Sequence, residues 1–242
     1  MKHSINRLLK HGFPVCFATT ILACHKAEDL KTPVIETQAI TADNFVMYVT
    51  KDKPPADNYT YAEITIITQD LPPDYRALTA TTDKGSFSNG ASSYTRQLSA
   101  ADTTRLYLRY NKAEIARVTA SINNSSQRES FVNFLPAWPD LILIDPSVDT
   151  LPRRLSATAA IKATLTRSTG TVSDGQTIMF YDSTAATGTS AGIFVNTTPV
   201  TGGQASTQYW LQDTAYKGIV YIKGYVLTDI GKVVGVNRIL VQ

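Results

Sequence analysis

Three histidines and two cysteines carry most of the reactive chemistry that this 242-residue chain could offer, and all five stand within its first 25 positions. His3, His11 and Cys16 precede Cys24 and His25, and from Lys26 to Gln242 neither residue type recurs. Without imidazole or thiolate, that long stretch has no Ser-His-Asp or Cys-His nucleophile pair and none of the usual zinc ligand sets. The 20 acidic residues are the remaining source of chemistry. Only Glu28 and Asp29 are adjacent, no Asp-x-Asp spacing occurs, and no Glu follows Glu129, so an EF-hand loop is absent. Glycoside hydrolysis needs only two carboxylates, and calcium can be held by separate loops, but nothing in the pattern selects a pair. The expectation is a non-enzymatic protein with no catalytic residue, no metal site and no cofactor.

Cys24 has a different use. Residues 1–11 are basic, with Lys2, Arg7 and Lys10, and residues 12–23 are almost all apolar or small. This is the charged segment and apolar segment of a secretory signal, shorter than the roughly 20 apolar residues that a membrane-spanning helix requires. Ile21-Leu22-Ala23-Cys24 resembles a bacterial lipobox. The resemblance implies that residues 1–23 are removed and that Cys24 is lipidated as the new N-terminus, a membrane anchor in which each buried methylene contributes about 0.8 kcal/mol. Residues 24–36 are polar, contain Pro33 and have no period, so they read as a flexible tether. Within them Lys26-Ala27-Glu28-Asp29 resembles the acidic export signals of surface lipoproteins. The expected location is the outer membrane at the cell surface, with its periplasmic side as the alternative. Loss of Lys2, Arg7 and Lys10 leaves 20 basic residues against 20 acidic ones, which removes the positive field that nucleic acid binding needs.

The elements that must position any binding residue are strands. In the run Thr104 to Asn111, Leu106, Leu108 and Tyr110 alternate with Arg105, Tyr107 and Arg109; Ala116, Val118, Ala120 and Ile122 alternate with Arg117, Thr119 and Ser121. "YAEITIIT" and "ATAAIKATLT" repeat the pattern, the second through Ala159, Ile161, Ala163 and Leu165. Period two with one apolar face predicts half-buried strands, and no long window carries a helical period. Asn89-Gly90, Asp174-Gly175 and Gly202-Gly203 predict tight turns with positive φ. Pro136 and Pro139 in "LPAWPD" interrupt the strands and set a boundary between residues 37–136 and 137–242. The two halves align in order: "AEITIIT" with "AIKATLT", "DKGSFSNG" with "SAGIFVNTT", and "RLYLRYNKAEIARVTASI" with "YWLQDTAYKGIVYIKGYV". Gly85-x-Phe87-x-Asn89 against Gly192-x-Phe194-x-Asn196 is the clearest match. A glycine, a buried ring and a turn asparagine at fixed spacing suit a strand entering a hairpin, so the repeat needs no ligand to explain it.

Together with "PPADNYTYAEITI" and "GQTIMFYDS", these segments resemble the bacterial immunoglobulin-like domains of invasin and intimin type. The resemblance implies two tandem Ig-like β-sandwiches after the signal and tether, about 100 residues each. It implies a spacer or adhesive arm, and no shared catalytic residues.

Binding groups then have to come from the surface. Tyr59, Tyr61, Tyr94 and Tyr107 in the first half, and Tyr209, Trp210, Tyr216, Tyr221 and Tyr225 in the second, are numerous enough for a stacking platform. The preference of strands for tyrosine favours the plainer use as cross-strand and core packing. Tyr221, Lys223 and Tyr225 share one face of a strand whose other face carries Val220, Ile222 and Val226; they are the expected ligand patch. The function expected is a lipid-anchored envelope protein whose domains serve as spacer or adhesion module, with a protein or glycan partner. The alternatives are a glycan-binding accessory lipoprotein of an outer-membrane uptake system and a periplasmic structural subunit.

Overall fold

The computed structural model describes residues 44–124 and 126–242; Cys24, the signal and the tether to residue 36 lie outside them. The described residues belong to one compact unit, and every regular element among them is a strand. The first eight are β1 (Phe45–Lys51), β2 (Ala62–Thr68), β3 (Ala77–Thr82), β4 (Ser86–Phe87), β5 (Ser93–Gln97), β6 (Asp102–Arg109), β7 (Ile115–Ile122) and β8 (Ser126–Asn133). They make two sheets, ordered β1-β2-β6-β4 and β5-β3-β7-β8. The second eight are β9 (Leu141–Pro146), β10 (Thr150–Leu151), β11 (Thr158–Thr166), β12 (Met179–Thr184), β13 (Gly192–Val195), β14 (Gln204–Leu211), β15 (Gly218–Thr228) and β16 (Gly231–Val241). Their sheets are ordered β9-β11-β14-β13 and β10-β16-β15-β12.

Alternation decides which residues lie between the sheets. Ala62, Ile64, Leu106, Leu108, Ala116, Val118, Ala120 and Ile122 all lie in one apolar core with Phe45, Phe87 and Phe134. Ala159, Ile161, Ala163 and Leu165 lie in another with Ile178, Tyr209, Val220, Ile222 and Ile239. Each fully buried large apolar side chain contributes about 1.5–3 kcal/mol, so each sandwich has a core of its own. The segments that align in sequence occupy matching places: β2 and β11 are interior strands, β4 and β13 are the edges beside β6 and β14, and β7 and β15 lie in the opposite sheet. Gly90, Gly175, Gly202 and Gly203 all take positive φ, at the turns expected of them.

Prolines redirect the first strand of each sandwich, because a residue without an N–H cannot extend a ladder. Past a register shift in β1, Pro55 makes an isolated parallel bridge with Leu135, just beyond the end of β8. Past Pro146, β10 likewise pairs in parallel with β16.

Among the described residues, the hydrogen bonds between the two sandwiches run through one loop, residues 170–176. Its Thr171 donates from N–H and hydroxyl to the carbonyl of Asp57, at 2.9 and 3.0 Å. Ser173, wholly buried, donates its hydroxyl to the Ala56 carbonyl and accepts the Ala137 N–H, both at 2.8 Å. Asp174 donates its N–H to the Asn111 carbonyl and accepts the Asn111 amide, both at 2.7 Å. A side chain at Gly170, whose φ is +71°, would strike Asp57 at 2.8 Å, so only glycine allows this approach.

The second core contains one carboxylate. Asp182 is buried and accepts the Ser190 hydroxyl at 2.5 Å, the Ala191 and Gly192 N–H groups at 2.7 and 3.1 Å, and the Tyr209 hydroxyl at 2.9 Å. Burial, and then the neighbouring Asp182 charge, pushes the Tyr209 phenol well above its ordinary range, so it remains a donor. Removing the acceptor strands several buried donors, each costing about 1–3 kcal/mol. We therefore expect Asp182→Ala to lose about 3 kcal/mol in urea-induced unfolding, and Tyr209→Phe about 1 kcal/mol.

Candidate binding face on the second sandwich

Strands β15 and β16 form an 11-residue-long hairpin that pairs from Gly218 with Val241 to Thr228 with Gly231. At its middle two inward glycines face each other, Gly224 and Gly235. A Cβ at Gly235 would lie 2.4 Å from the Ile142 carbonyl oxygen, and one at Gly224 would lie 2.9 Å from the Ile144 side chain. The notch lets β9 lie against the hairpin from inside, secured by the Asn237 amide donating to the Ile144 carbonyl at 2.7 Å. The opposite side of the sheet is left uncovered within the unit.

The register of that outer side follows directly. Across β12, β15 and β16 run the rows Ser183-Tyr221-Arg238, Tyr181-Lys223-Val236 and Met179-Tyr225-Val234, followed by Leu227 beside Lys232. Tyr181 meets Tyr225 edge-on at 5.7 Å. The Lys223 ammonium lies 5.3 Å from the Tyr181 ring centre, and that of Lys232 lies 5.7 Å from the Tyr225 ring. Leu227 and Val236 are 57% and 54% exposed, large values for apolar side chains on one contiguous face. Lys223, Lys232 and Arg238 supply positive charge, and the single acid on these three strands, Asp182, points inward.

Of the three residues singled out in the sequence, Lys223 and Tyr225 converge on Tyr181, while Tyr221 stands one row away between Ser183 and Arg238. Met179, Tyr181, Val234 and Val236 join them here only through cross-strand pairing. The alternation in "KVVGVNRILV" carries the signal for the last two, once the hairpin register is known. Other tyrosines go elsewhere: Tyr209 is buried in the core, Tyr216 donates to the Ile219 carbonyl at 2.7 Å, and Tyr94 packs against the first core. Among the described residues no group of three or more His, Cys, Asp or Glu side chains converges.

No family model and no curated protein matches this chain. Its fold does match solved structures. Invasin, a bacterial integrin-binding protein, superposes with a TM-score of 0.55 at 16% identity, over 79% of this chain and 38% of that one. The Yersinia pseudotuberculosis adhesin InvE gives a TM-score of 0.56 at 13% identity, over 84% of this chain and 60% of that one. The chain thus spans less than two thirds of either structure. At these identities the likeness is one of fold: tandem Ig-like sandwiches of the invasin type.

Scaffold and face separate in their response to mutation. Gly235→Ala drives a Cβ into the β9 backbone and is expected to destabilise by about 1–3 kcal/mol. Tyr221→Ala and Lys223→Ala remove outward atoms and are expected to cost under about 1 kcal/mol; thermal unfolding of the three variants checks the contrast.

Proposed function

We propose that this chain is a non-enzymatic adhesion or binding module of the bacterial surface, with sandwiches divided near Pro136 and a lipid on Cys24 as its tether. The observation that carries the reading is the outer face of β12, β15 and β16, where exposed apolar and aromatic side chains are interspersed with three cations. Interfaces are anchored by aromatic residues in an apolar centre with a polar rim. A face of this composition suits a protein ligand that brings apolar contacts and an acidic rim, because unlike charge steers encounter and like charge excludes wrong partners. The face lies on the sandwich farther along the chain from Cys24. The fold shared with proteins described as integrin-binding and as an adhesin supports the same reading. The seam at residues 170–176 supports it further, since a spacer transmits position only if its domains are tied.

Two experiments test this. On intact cells, protease is expected to digest residues 137–242 while a periplasmic control survives; in Cys24→Ala, lipid labelling and membrane retention are expected to be lost. Protection until the outer membrane is broken places the protein inside, and retained labelling removes the anchor. For the face, a photo-reactive residue at position 221 is expected to capture a protein partner, and Lys223→Glu with Lys232→Glu to reduce that capture about tenfold or more. Undiminished capture argues against the face.

A further inference from the structure

A second site stands on the first sandwich. Beyond the last rung of β2 and β6, where Ala62 pairs with Leu108, Tyr61 and Arg109 lie alongside each other. Next to them Lys51, Glu63 and Tyr107 form a row across β1, β2 and β6. The loop before β2 adds Tyr59, which is 64% exposed. These side chains and Thr60 line a pocket of about 510 Å³, within the roughly 300–1,000 Å³ of small-ligand sites.

The pocket is held by structure that does not depend on a ligand. Asp57, buried, accepts the N–H of Tyr59 at 2.9 Å, the N–H of Thr60 at 2.6 Å and the Thr60 hydroxyl at 2.9 Å. Tyr61 and Tyr107 meet edge-on at 6.2 Å. The Arg109 guanidinium stacks 5.8 Å from the Tyr61 ring centre. Its Nε is buried without a hydrogen-bond partner, and among the described residues neither Arg109 nor Lys51 makes an ion pair. The one carboxylate present, Glu63, faces Arg105 at 3.7 Å on the outer side. The phenol groups of Tyr59, Tyr61 and Tyr107 make no hydrogen bond within the described residues.

We infer that this pocket binds an acidic saccharide, a sugar ring bearing a carboxylate. A planar guanidinium reads a carboxylate through paired N–H groups, and Lys51 adds a second positive charge. The tyrosine rings offer apolar faces to the C–H side of a sugar ring, and their three hydroxyl groups match its hydroxyls. An acidic peptide side chain would use the guanidinium but leave those three phenols without partners, so the saccharide accounts for more of the site.

The test is titration of the purified full chain, followed by tyrosine fluorescence and calorimetry, at up to about 1 mM ligand. Probes are an oligogalacturonate, sialyllactose, lactose as the neutral control, and an aspartate-rich peptide. We expect saturable, salt-sensitive binding of at least one acidic sugar and none of lactose; the two acidic probes separate a polyuronate from a sialylated source. Arg109→Gln is expected to weaken that binding about tenfold or more, and Arg109→Lys less, since it keeps the charge and loses the fork. Tyr59→Ala is also expected to weaken it at least threefold. Its ring is largely in solvent, so it reports on the pocket even if the Arg109 variants fold poorly. Absence of binding by both acidic sugars, equal binding of lactose, peptide binding as tight as the sugar's, or full affinity in Tyr59→Ala would each overturn the assignment.

Discussion

Asp57 is the point on which the described structure turns. Its carboxylate closes the loop that carries Tyr59 and Thr60, while its carbonyl accepts both donors of Thr171 from the second sandwich. A buried acceptor with this many partners is stable only when all are present, since each unmatched buried group costs more than a matched one contributes. The pocket of the first sandwich and the seam between the two are therefore linked at one residue. A change that loosens the seam is felt at Tyr59 without touching it.

Asp182 does the corresponding work inside the second sandwich. It ties β12 to the residues that open β13 and to Tyr209 of β14, so the edge strand carrying Met179 and Tyr181 is fixed to the opposite sheet. β12 is the edge of its sheet, whereas its counterpart β3 is covered by β5. A bare edge that is neither covered nor anchored is prone to slip or to pair with another chain. Anchoring through a buried carboxylate leaves the strand's outward side available without leaving its register loose.

The strands were legible in the sequence because period two is written directly in the burial pattern: every inward residue expected in β7 and β11 is in a core. The repeat was legible too, since Gly85 to Asn89 and Gly192 to Asn196 each mark the edge strand beside the next long one. The match is nevertheless looser than the sequence suggests. Gly85 takes a positive φ, and a Cβ there would also lie 2.4 Å from the Arg109 carbonyl oxygen. Gly192 lacks a positive φ; a Cβ there would lie 2.4 Å from the Trp210 carbonyl oxygen and 2.6 Å from the Tyr209 ring. Both glycines therefore admit the backbone of the neighbouring long strand, and only Gly85 adds a left-handed conformation. The faces were less legible. Tyr221, Lys223 and Tyr225 could be read from one strand, but Tyr181 and Val236 flank Lys223 only through pairings between β12, β15 and β16. Tyr209 looked like its neighbours in composition and is instead buried, because its outward or inward place depends on strand register and not on residue type.

Charge shows why composition misleads. The near balance of 23 basic and 20 acidic residues leaves little long-range field but does not remove local ones, because screening confines charge effects to about 10 Å in any case. Here the two signs have different uses. Asp52, Asp57, Asp83, Asp140, Asp174, Asp182 and Asp213 all accept backbone N–H groups, as short carboxylates do where loops must turn. Lysine and arginine are donors only, and on the sheet faces Arg109, Lys223 and Lys232 lie against the rings of Tyr61, Tyr181 and Tyr225. A chain near neutrality thereby presents two positive aromatic surfaces, one on each sandwich, and its acids are the reason those surfaces hold their shape.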